Sequence, residues 1–421
     1  MKTLIKGTII PLTEERDEFD GFVAIEGNRI ASVSEEKPEG YFDKFIDASG
    51  MVIMPGLVNT HTHSSMTLLR GVADDLPLMD WLNKEIFPRE NKLTSDMVFW
   101  GAKLAIAEML LGGVTTFNDM YFKMDSVAKA VSQTGIRASL SSGIMAVGGQ
   151  EAIDRAVDFA NQWNNKADAR IKTMLGPHAI YTCPPYFMEL LVKASNDNKI
   201  PIHIHISETE KEVDDCISEY NETPPKILNR IGVFDSHVVG AHCVHLTDSD
   251  MDILKTKDVY VSLNTSSNFK LASGRARIAT MEEKGLNLSI GTDGTASNND
   301  LDMWEELKWT SFVAKSFGDS TVLPAKRTLQ IATIDGAQAL GFSDMGTLEK
   351  GAIADLIIVD MSAVHLSPRY SSVSHLVNCV HPSDVRHVIV DGKIVVWDRK
   401  IQRFDADETL AKVKEFAKIL A

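Results

Sequence analysis

Eight short and almost wholly apolar runs are spaced along the middle of the chain. They cover residues 52–61, 114–120, 137–143, 171–178, 200–207, 237–245, 259–265 and 286–293. Continuous apolar runs of this length are typical of parallel strands that are buried on both faces. The segments between them have a helical period and a polar face, as in residues 96–111, 151–163, 185–196 and 251–255. Strands that alternate with helices in this way predict a (β/α)8 barrel, the TIM barrel fold.

The two ends of the chain have a different pattern. Apolar and polar positions alternate over short stretches, in residues 3–10 and 21–30 near the start and in residues 354–360 and 385–396 near the end. Short alternating runs separated by turn residues are typical of a sheet with one buried face. We therefore expect a small β-sandwich domain built from residues 1–55 and 348–421, with the barrel at residues 56–347 between its two halves.

Composition and charge narrow the class of protein. The 421 residues are 44% hydrophobic and 24% charged, which is ordinary for a soluble globular chain. No run approaches the roughly 18 apolar residues of a membrane span, so we expect a cytoplasmic protein without membrane contact. The formal charge of −15 argues against a nucleic-acid partner, because such binding depends on neutralising phosphates. The four cysteines are widely scattered and are expected to be free thiols.

Titratable residues gather where the predicted strands end. These residues are His61 and His63 after the first run, His178 after the fourth, His203 and His205 in the fifth, His242 and His245 in the sixth, and Asp293 in the eighth. In a (β/α)8 barrel the reactive groups lie at the carboxyl ends of the strands. A single histidine of this kind is commonly a hydrogen-bonded core residue. Burying several imidazoles with a carboxylate is costly unless they are paired or bind a metal, so the set predicts a metal site.

Four motifs carry a resemblance to a known family. They are PGLVNTHTH at 55–63, HIHISET at 203–209, AHCVH at 241–245 and GTDGTASNN at 291–299. Together and in this order they resemble the amidohydrolase superfamily. Within it they are most similar to the 5-methylthioadenosine/S-adenosylhomocysteine deaminases, a branch that also contains triazine chlorohydrolases and relatives of guanine deaminase.

The resemblance implies one divalent metal held by His61, His63, His205 and Asp293. Zinc is the first expectation, and Fe²⁺, Mn²⁺ or Ni²⁺ can use the same ligands. The family spacing His-x-x-Glu selects the second histidine of the fifth run, so His203 is expected to be structural. The fourth run ends in LGPH at 175–178 without the lysine that bridges two metals in some members, which implies a single ion.

The resemblance also implies three catalytic roles. Glu208 would move a proton from the attacking water to the ring, His242 would orient or polarise the attacking oxygen, and Asp293 would pass the remaining proton towards ammonia. Two alternatives stay open from the residues alone. Glu208 is also compatible with a carboxylate that stabilises a helix N-terminus, and His242 with a core imidazole bonded to backbone.

Substrate contacts implied by the resemblance come from three further residues. Glu90 and His178 would reach the nucleoside, with Glu90 accepting hydrogen bonds from the ribose hydroxyls. Trp81 lies in the segment that precedes Glu90 and would form an apolar wall, although ordinary packing explains such a residue equally well. That segment, residues 81–90, follows the first strand and could cover the site.

The chain departs from the family pattern at two places. Some relatives hold the carboxylate of S-adenosylhomocysteine with arginines after the third strand, whereas residues 140–150 contain none, and Ser142 and Gln150 stand where an arginine is expected. Leu263 stands where many relatives have a histidine. A bidentate carboxylate clamp is therefore not expected, which favours neutral thioether nucleosides or adenosine as substrates.

Three functions are consistent with these patterns. The first is a metal-dependent hydrolytic deaminase of adenine nucleosides, with a small-molecule nucleoside or related heterocycle as partner. The second keeps the metal but changes the ring, as in a guanine or pterin deaminase or a triazine chlorohydrolase. The third is an inactive barrel that serves as a scaffold, against which the intact set of candidate site residues argues. A homo-oligomer is also compatible with the resemblance, because many relatives form dimers.

Overall fold

The computed structural model describes residues 1–14, 16–73, 75–76 and 78–420. Within them the chain forms two eight-stranded sheets. The strands in chain order are β1 Lys2–Ile9, β2 Phe19–Glu26, β3 Arg29–Ser34, β4 Lys44–Pro55, β5 Leu57–Thr62, β6 Val114–Tyr121, β7 Arg137–Ile144, β8 Ile171–Pro177, β9 Ile202–Ile206, β10 Val238–His242, β11 Tyr260–Leu263, β12 Asn287–Ile290, β13 Leu356–Val359, β14 Val385–Val390, β15 Lys393–Trp397 and β16 Lys400–Ile401.

Helical segments connect most of these strands. Those described are Ser64–Leu69, Leu78–Trp81, Leu82–Ile86, Phe87–Glu90, Ser95–Leu111, Met124–Thr134, Ala146–Gly148, Gly149–Trp163, Pro185–Asn198, Glu210–Tyr220, Pro224–Arg230, Val233–Asp235, Asp248–Thr256, Thr265–Lys270, Ile278–Glu283, Met303–Lys315, Ala325–Ile331, Ile334–Ala339, Val364–Leu366, Ser372–Asn378, Pro382–Asp384 and Ala406–Leu420, with a left-handed turn at Lys166–Ala169. Among the described residues, no helix is both long and apolar enough to cross a bilayer.

The barrel consists of β5 to β12, which pair in parallel and in chain order. The first and last strands meet where the backbone N–H of Asp293 donates to the carbonyl of His61 over 3.0 Å. Beside this contact, the hydroxyl of Thr60 donates to the carbonyl of Ile290 over 2.9 Å. The predicted (β/α)8 barrel is confirmed, and strands β6 to β12 each begin and end within a few residues of one of the last seven apolar runs.

The first apolar run is wrong as a single strand, because the chain changes sheets in the middle of residues 52–61. Strand β4 ends at Pro55 and pairs with β1 and β13 in the other sheet, while β5 begins at Leu57 and pairs with β6. Pro55 has no N–H for a continuing ladder. A Cβ on Gly56 would lie 2.2 Å from the side chain of Thr115, so only glycine allows the chain to pass. Hydrophobicity alone does not reveal this break.

The second sheet joins strands from both chain ends, as predicted. Its order is β16-β15-β14-β13-β4-β1-β2-β3, so the chain re-enters the sheet beside β4 after completing the barrel. One face covers an apolar cluster that includes Ile5, Val23, Ile53, Ile358 and Ile389. The placement of the domain boundaries at residues 55 and 348 stays a prediction.

A buried ion cluster joins the amino-terminal end of the barrel to this sheet. Arg137, the first residue of β7, donates from Nε to Asp355 over 2.8 Å and from Nη2 to the same carboxylate over 3.2 Å. Asp391 lies 3.5 Å from Nη2, and its backbone N–H donates to Asp355 over 2.6 Å. The side chains of Arg137 and Asp355 are 2% and 0% exposed, so water cannot replace a missing partner.

Replacing Arg137 with methionine should lower the free energy of unfolding by about 3–5 kcal/mol, because it leaves two buried carboxylates without their cation. Urea denaturation of wild type and variant measures the difference. Arg155→Met is the matched control, since Arg155 pairs with Glu151 on an exposed helix face and the pair should contribute little. Equal stability of the two variants would contradict the structural role of the cluster.

Candidate active site

The carboxyl ends of the barrel strands bring the four predicted metal ligands together. The Nε2 atoms of His61 and His63 each lie 3.3 Å from Oδ1 of Asp293. The Nε2 atom of His205 lies 3.4 Å from Nε2 of His63. Donor atoms of His61, His63 and His205 fall within 4.8 Å of one another, and so do those of His61, His242 and Asp293. Nitrogen and carboxylate donors therefore converge on one point.

Backbone carbonyls fix the orientation of two of these imidazoles. Nδ1 of His63 donates to the carbonyl of Met120 over 2.6 Å, and Nδ1 of His205 donates to the carbonyl of His178 over 2.7 Å. Since Nδ1 carries the proton in each neutral ring, Nε2 keeps a free lone pair. Hydrogen bonds of this kind hold metal-binding imidazoles in the ligating tautomer.

His61 lies deepest in the cluster. Its side chain is 0% exposed, and Nε2 makes no hydrogen bond within the described residues, although Asp293 is near. Its Nδ1 lies 2.8 Å from Nε2 of His203, whose own Nδ1 lies 3.2 Å from the hydroxyl of Ser141. Burial lowers the pKa of His61 to about 4, which keeps the ring neutral. A buried nitrogen without a partner, surrounded by other donors, fits a bound cation.

Asp293 is held as a carboxylate at the end of β12. Oδ2 accepts hydrogen bonds from the hydroxyls of Ser267 over 2.6 Å and Ser297 over 2.7 Å, and Oδ1 accepts from the backbone N–H of Gly294 over 2.7 Å. Burial by itself would raise the pKa of Asp293, but His61 and other imidazoles hold it well below its usual range. Oδ1 is the oxygen that faces His61, so it is available as a ligand.

Glu208 and His242 form a second pair beside these groups. Nε2 of His242 lies 3.9 Å from Oε2 of Glu208, and the hydroxyl of Ser273 donates to Oε1 over 3.3 Å. Nδ1 of His242 donates to the side-chain oxygen of Asn268 over 2.8 Å. Burial raises the pKa of Glu208. Burial would lower the pKa of His242, but the carboxylates of Glu208 and Asp293 raise it.

Both alternatives left open by the sequence can be compared with these contacts. The helix Glu210–Tyr220 begins with Thr209 as its cap, and the hydroxyl of Thr209 accepts from the backbone N–H of Glu212. The carboxylate of Glu208 instead lies in the cavity wall, as does His242. The catalytic roles of Glu208 and His242 stay predictions.

Left-handed backbone conformations turn these side chains inwards. Ser207, His242 and Asp293 have φ angles of 49°, 70° and 63° at the ends of three barrel strands. Non-glycine residues in this region are strained, and such strain is common at functional sites. The buried carboxylate of Glu212 stabilises the first of these turns by accepting from the backbone N–H groups of Ser207 over 3.1 Å and Glu208 over 2.8 Å.

A buried glutamate, Glu306, holds the loops that support Asp293. It accepts hydrogen bonds from the backbone N–H groups of Thr265 over 3.1 Å and Ser266 over 3.2 Å, and from the side-chain amide of Asn298 over 3.2 Å. These residues adjoin the two serines that donate to Asp293. Burial raises the pKa of Glu306 from 4.5 to about 8.

Stability should therefore fall as pH rises between 4.5 and about 8, because folded Glu306 retains a proton that the unfolded chain loses. In the Glu306→Gln variant the free energy of unfolding should depend less on pH over this interval. Part of the dependence should remain, because burial also raises the pKa of Glu212 to about 7. Urea denaturation at a series of pH values measures the slope. Glu305→Gln, at the exposed neighbouring position, should leave the slope unchanged. An unaltered slope in Glu306→Gln would contradict the assignment.

Above the imidazoles lies a cavity whose wall contains the three predicted substrate residues, Glu90, His178 and Trp81. Three consecutive helical segments over residues 78–90 form part of this wall, as expected for a segment that covers the site. Nδ1 of His178 forms a hydrogen bond with the hydroxyl of Thr182 over 3.0 Å. Burial lowers the pKa of His178 to about 3.

No arginine or lysine lines this cavity among the described residues. The third strand contributes Gly143, Ile144 and Met145 to the wall, whereas Gln150 is exposed and donates to Asp154 over 2.9 Å. Leu263 is buried outside the cavity wall. The absence of a carboxylate clamp stays a prediction from the sequence.

Several residues of the site were missed by sequence reasoning. Asp119 accepts from the hydroxyl of Thr62 over 3.0 Å and from the backbone N–H of Ser64 over 2.6 Å, which fixes the chain on both sides of His63. The sequence did contain a signal for such residues, because polar side chains occur at the ends of two apolar runs. Asp119 interrupts the run 114–120, and Asn268 follows the run 259–265.

Comparison with known families agrees with this arrangement. The amidohydrolase family matches residues 52–395, which include the barrel and most of the second sheet's later strands. The chain belongs to the amidohydrolase family. This amidohydrolase is 44% identical over 420 residues to the 5-methylthioadenosine/S-adenosylhomocysteine deaminase of Syntrophomonas wolfei, a match that covers 98% of this chain and 97% of the relative.

Two solved structures that resemble the amidohydrolase contain bound zinc. An adenosine deaminase from Xanthomonas campestris with bound zinc has a TM-score of 0.96 and 34% identity, covering 99% of this chain and 98% of its own. A zinc complex of atrazine chlorohydrolase from Arthrobacter aurescens has a TM-score of 0.91 at 22% identity, covering 99% and 100%, and shares the fold. The expectation of a metal-dependent hydrolase of this family is confirmed.

Proposed function

We propose that this protein is a metal-dependent deaminase that hydrolyses adenine nucleosides, 5′-methylthioadenosine first among them, to the inosine derivative and ammonia. The observation that carries the proposal is the convergence of His61, His63, His205 and Asp293 beside Glu208 in one cavity. The deaminase relative, which matches along nearly the whole chain, supports the same reaction.

We further propose that His61, His63, His205 and Asp293 hold a single divalent cation, with zinc as the first expectation. When bound, the cation supplies Lewis acidity that lowers the pKa of water and provides a nucleophile at neutral pH. Three imidazoles with free Nε2 atoms and one carboxylate match the nitrogen and oxygen donors that zinc accepts. The tautomers set by the carbonyls of Met120 and His178 favour binding without rearrangement.

Proton movements in the proposed reaction belong to Glu208, His242 and Asp293. The carboxyl of Glu208 lies inside the cavity with a raised pKa, which suits a group that takes a proton from water and delivers it to the ring nitrogen. Nδ1–H of His242 is committed to Asn268, so Nε2 is a donor only in the imidazolium form, which the nearby carboxylates favour. Asp293 would pass the second proton from Oδ1 towards the leaving ammonia.

The wall of the cavity favours a nucleoside without a charged tail. Two recesses adjoin the cavity. One shares Phe87, Glu90 and Met145 with it and contains the exposed Lys123; the other shares Leu78, Tyr181 and Glu208 with it and contains Lys211 and Lys270. A lysine contacts a carboxylate as a point charge, without the bidentate fork of a buried arginine. Buried apolar side chains suit a methylthio group.

Ammonia release from the zinc-loaded protein tests the proposal, with 5′-methylthioadenosine, S-adenosylhomocysteine, adenosine, guanine and a chlorotriazine as substrates. We expect kcat/KM for 5′-methylthioadenosine to exceed that for S-adenosylhomocysteine about 10-fold or more, the value of one missing charge-assisted hydrogen bond. Turnover of only guanine or only the triazine would instead favour a guanine deaminase or a triazine chlorohydrolase. Purified protein that neither binds metal nor turns over any substrate would favour an inactive scaffold.

A further inference from the structure

Two polar atoms in the wall of the cavity make no hydrogen bond of normal length and angle within the described residues. They are Oε1 of Glu90 and the hydroxyl oxygen of Tyr121; both are buried, and the two side chains interact with each other only loosely. Both side chains line the cavity and also the adjoining recess, so they lie at the junction between the two. A buried polar group without a full hydrogen bond destabilises the folded protein. Such a cost is commonly repaid when a ligand supplies the missing partner.

Tyr121 is fixed in place by its surroundings. It is the last residue of β6 and is 3% exposed. Its ring centroid lies 6.5 Å from that of His63 and 5.5 Å from that of Phe122. The hydroxyl therefore has a defined position relative to the cluster of imidazoles, and a bound molecule that reaches that cluster must pass close to it.

The two groups differ in their hydrogen-bonding chemistry. Burial, together with the nearby carboxylate of Glu90, raises the pKa of Tyr121 well above its usual range, so the phenol keeps its proton and can donate. A carboxylate oxygen accepts. A donor beside an acceptor complements two neighbouring hydroxyls on one molecule, because one hydroxyl can accept from the phenol while the other donates to the carboxylate.

We infer that Tyr121 determines specificity for the sugar, its hydroxyl donating a hydrogen bond to one hydroxyl of the ribose vicinal diol while Glu90 accepts from the other. The inference rests on the proposed function and names a further contact for that substrate. Tyr121 ends the second barrel strand, which provides none of the proposed metal ligands, and the inferred contact gives this strand end a role in binding the sugar.

Tyr121→Phe tests this contact, with adenosine, 2′-deoxyadenosine and 3′-deoxyadenosine as substrates. We expect kcat/KM for adenosine to fall about 5- to 30-fold, mainly through KM, the range for one hydrogen bond inside a protein. One of the two deoxynucleosides lacks the hydroxyl that Tyr121 contacts. For that substrate, wild type and Tyr121→Phe should have the same kcat/KM. The double comparison isolates the pairwise contact. Calorimetric titration with inosine and its matching deoxy analogue should show the same pattern in Kd.

Two controls accompany the substitution. Tyr186→Phe changes an exposed tyrosine and should leave all three substrates unaffected. Because the hydroxyl of Tyr121 interacts only loosely with Glu90 in the free protein, Tyr121→Phe should change the midpoint of thermal unfolding little. Equal losses with all three substrates, or no loss with any, would overturn the inference and leave the deaminase proposal intact. Failure of the wild type to deaminate any adenine nucleoside would instead overturn the proposed function, and the inference with it.

Discussion

Replacing His61 with alanine should remove the bound metal and reduce deamination to background. The imidazole of His61 is the one ring that belongs to both groups of converging donors, and its Nε2 has no other hydrogen-bond partner in the described chain. Alanine leaves the carboxylate of Asp293 without one of the two imidazoles that lie 3.3 Å from it in a buried site. Elemental analysis of gel-filtered protein measures the metal, and ammonia release measures the activity.

Two further variants separate ligation from packing. His203→Asn acts on His61 through the 2.8 Å contact between their rings, and it should weaken metal affinity about 10- to 100-fold without abolishing it. His375→Ala changes a histidine that contacts backbone in the helix Ser372–Asn378, and it should alter neither metal content nor rate. A His61→Ala protein with full metal content would exclude His61 from the ligand set. Loss of metal in all three variants would indicate general unfolding instead.

The barrel could be predicted from sequence because burial on both faces leaves a simple signature. Each strand from β6 to β12 lies under helices, so its apolar residues form a continuous run that turn residues interrupt. The signature does not identify the sheet to which a strand belongs. The last four residues of β4 and all of β5 are buried and almost consecutive. The two strands separate at Gly56, where the side chain of Thr115 leaves no room for a Cβ. That contact joins positions far apart in the chain.

Site residues that lie at the ends of barrel strands could be predicted from the sequence. Residues two apart on a strand share a face, so sequence placed both His203 and His205 near the same point. The resemblance chose between them, and the structure places His205 beside His63 and His203 behind His61. The expectation that His203 is structural agrees with this contact.

Supporting carboxylates were not predictable, because their partners come from other elements. Glu306 lies on the helix Met303–Lys315 yet accepts hydrogen bonds from backbone at the start of the helix Thr265–Lys270, and nothing in its own segment indicates this. Tyr121 likewise directly follows an apolar run, where a tyrosine is ordinary. Its significance comes from a buried hydroxyl beside Glu90 that makes no hydrogen bond of normal geometry, which only a folded chain reveals.

Replacing Glu208 with glutamine should lower kcat about 10²- to 10⁴-fold while metal content and fold stay unchanged. The carboxyl of Glu208 is buried in the cavity wall, where burial raises its pKa, and glutamine keeps its shape but cannot carry the proton. Ammonia release under saturating 5′-methylthioadenosine measures kcat. Glu210→Gln changes an exposed carboxylate two residues further on and is the matched control.

The pattern of effects distinguishes a proton carrier from a supporting residue. Glu208 receives hydrogen bonds from Ser273 and lies near His242, so a purely structural role would predict loss of metal or of thermal stability together with rate. A slow Glu208→Gln enzyme that retains its metal and binds inosine normally would assign the loss to proton transfer. A Glu208→Gln enzyme as fast as wild type would remove Glu208 from the mechanism, and Asp293 and His242 would then have to carry both protons.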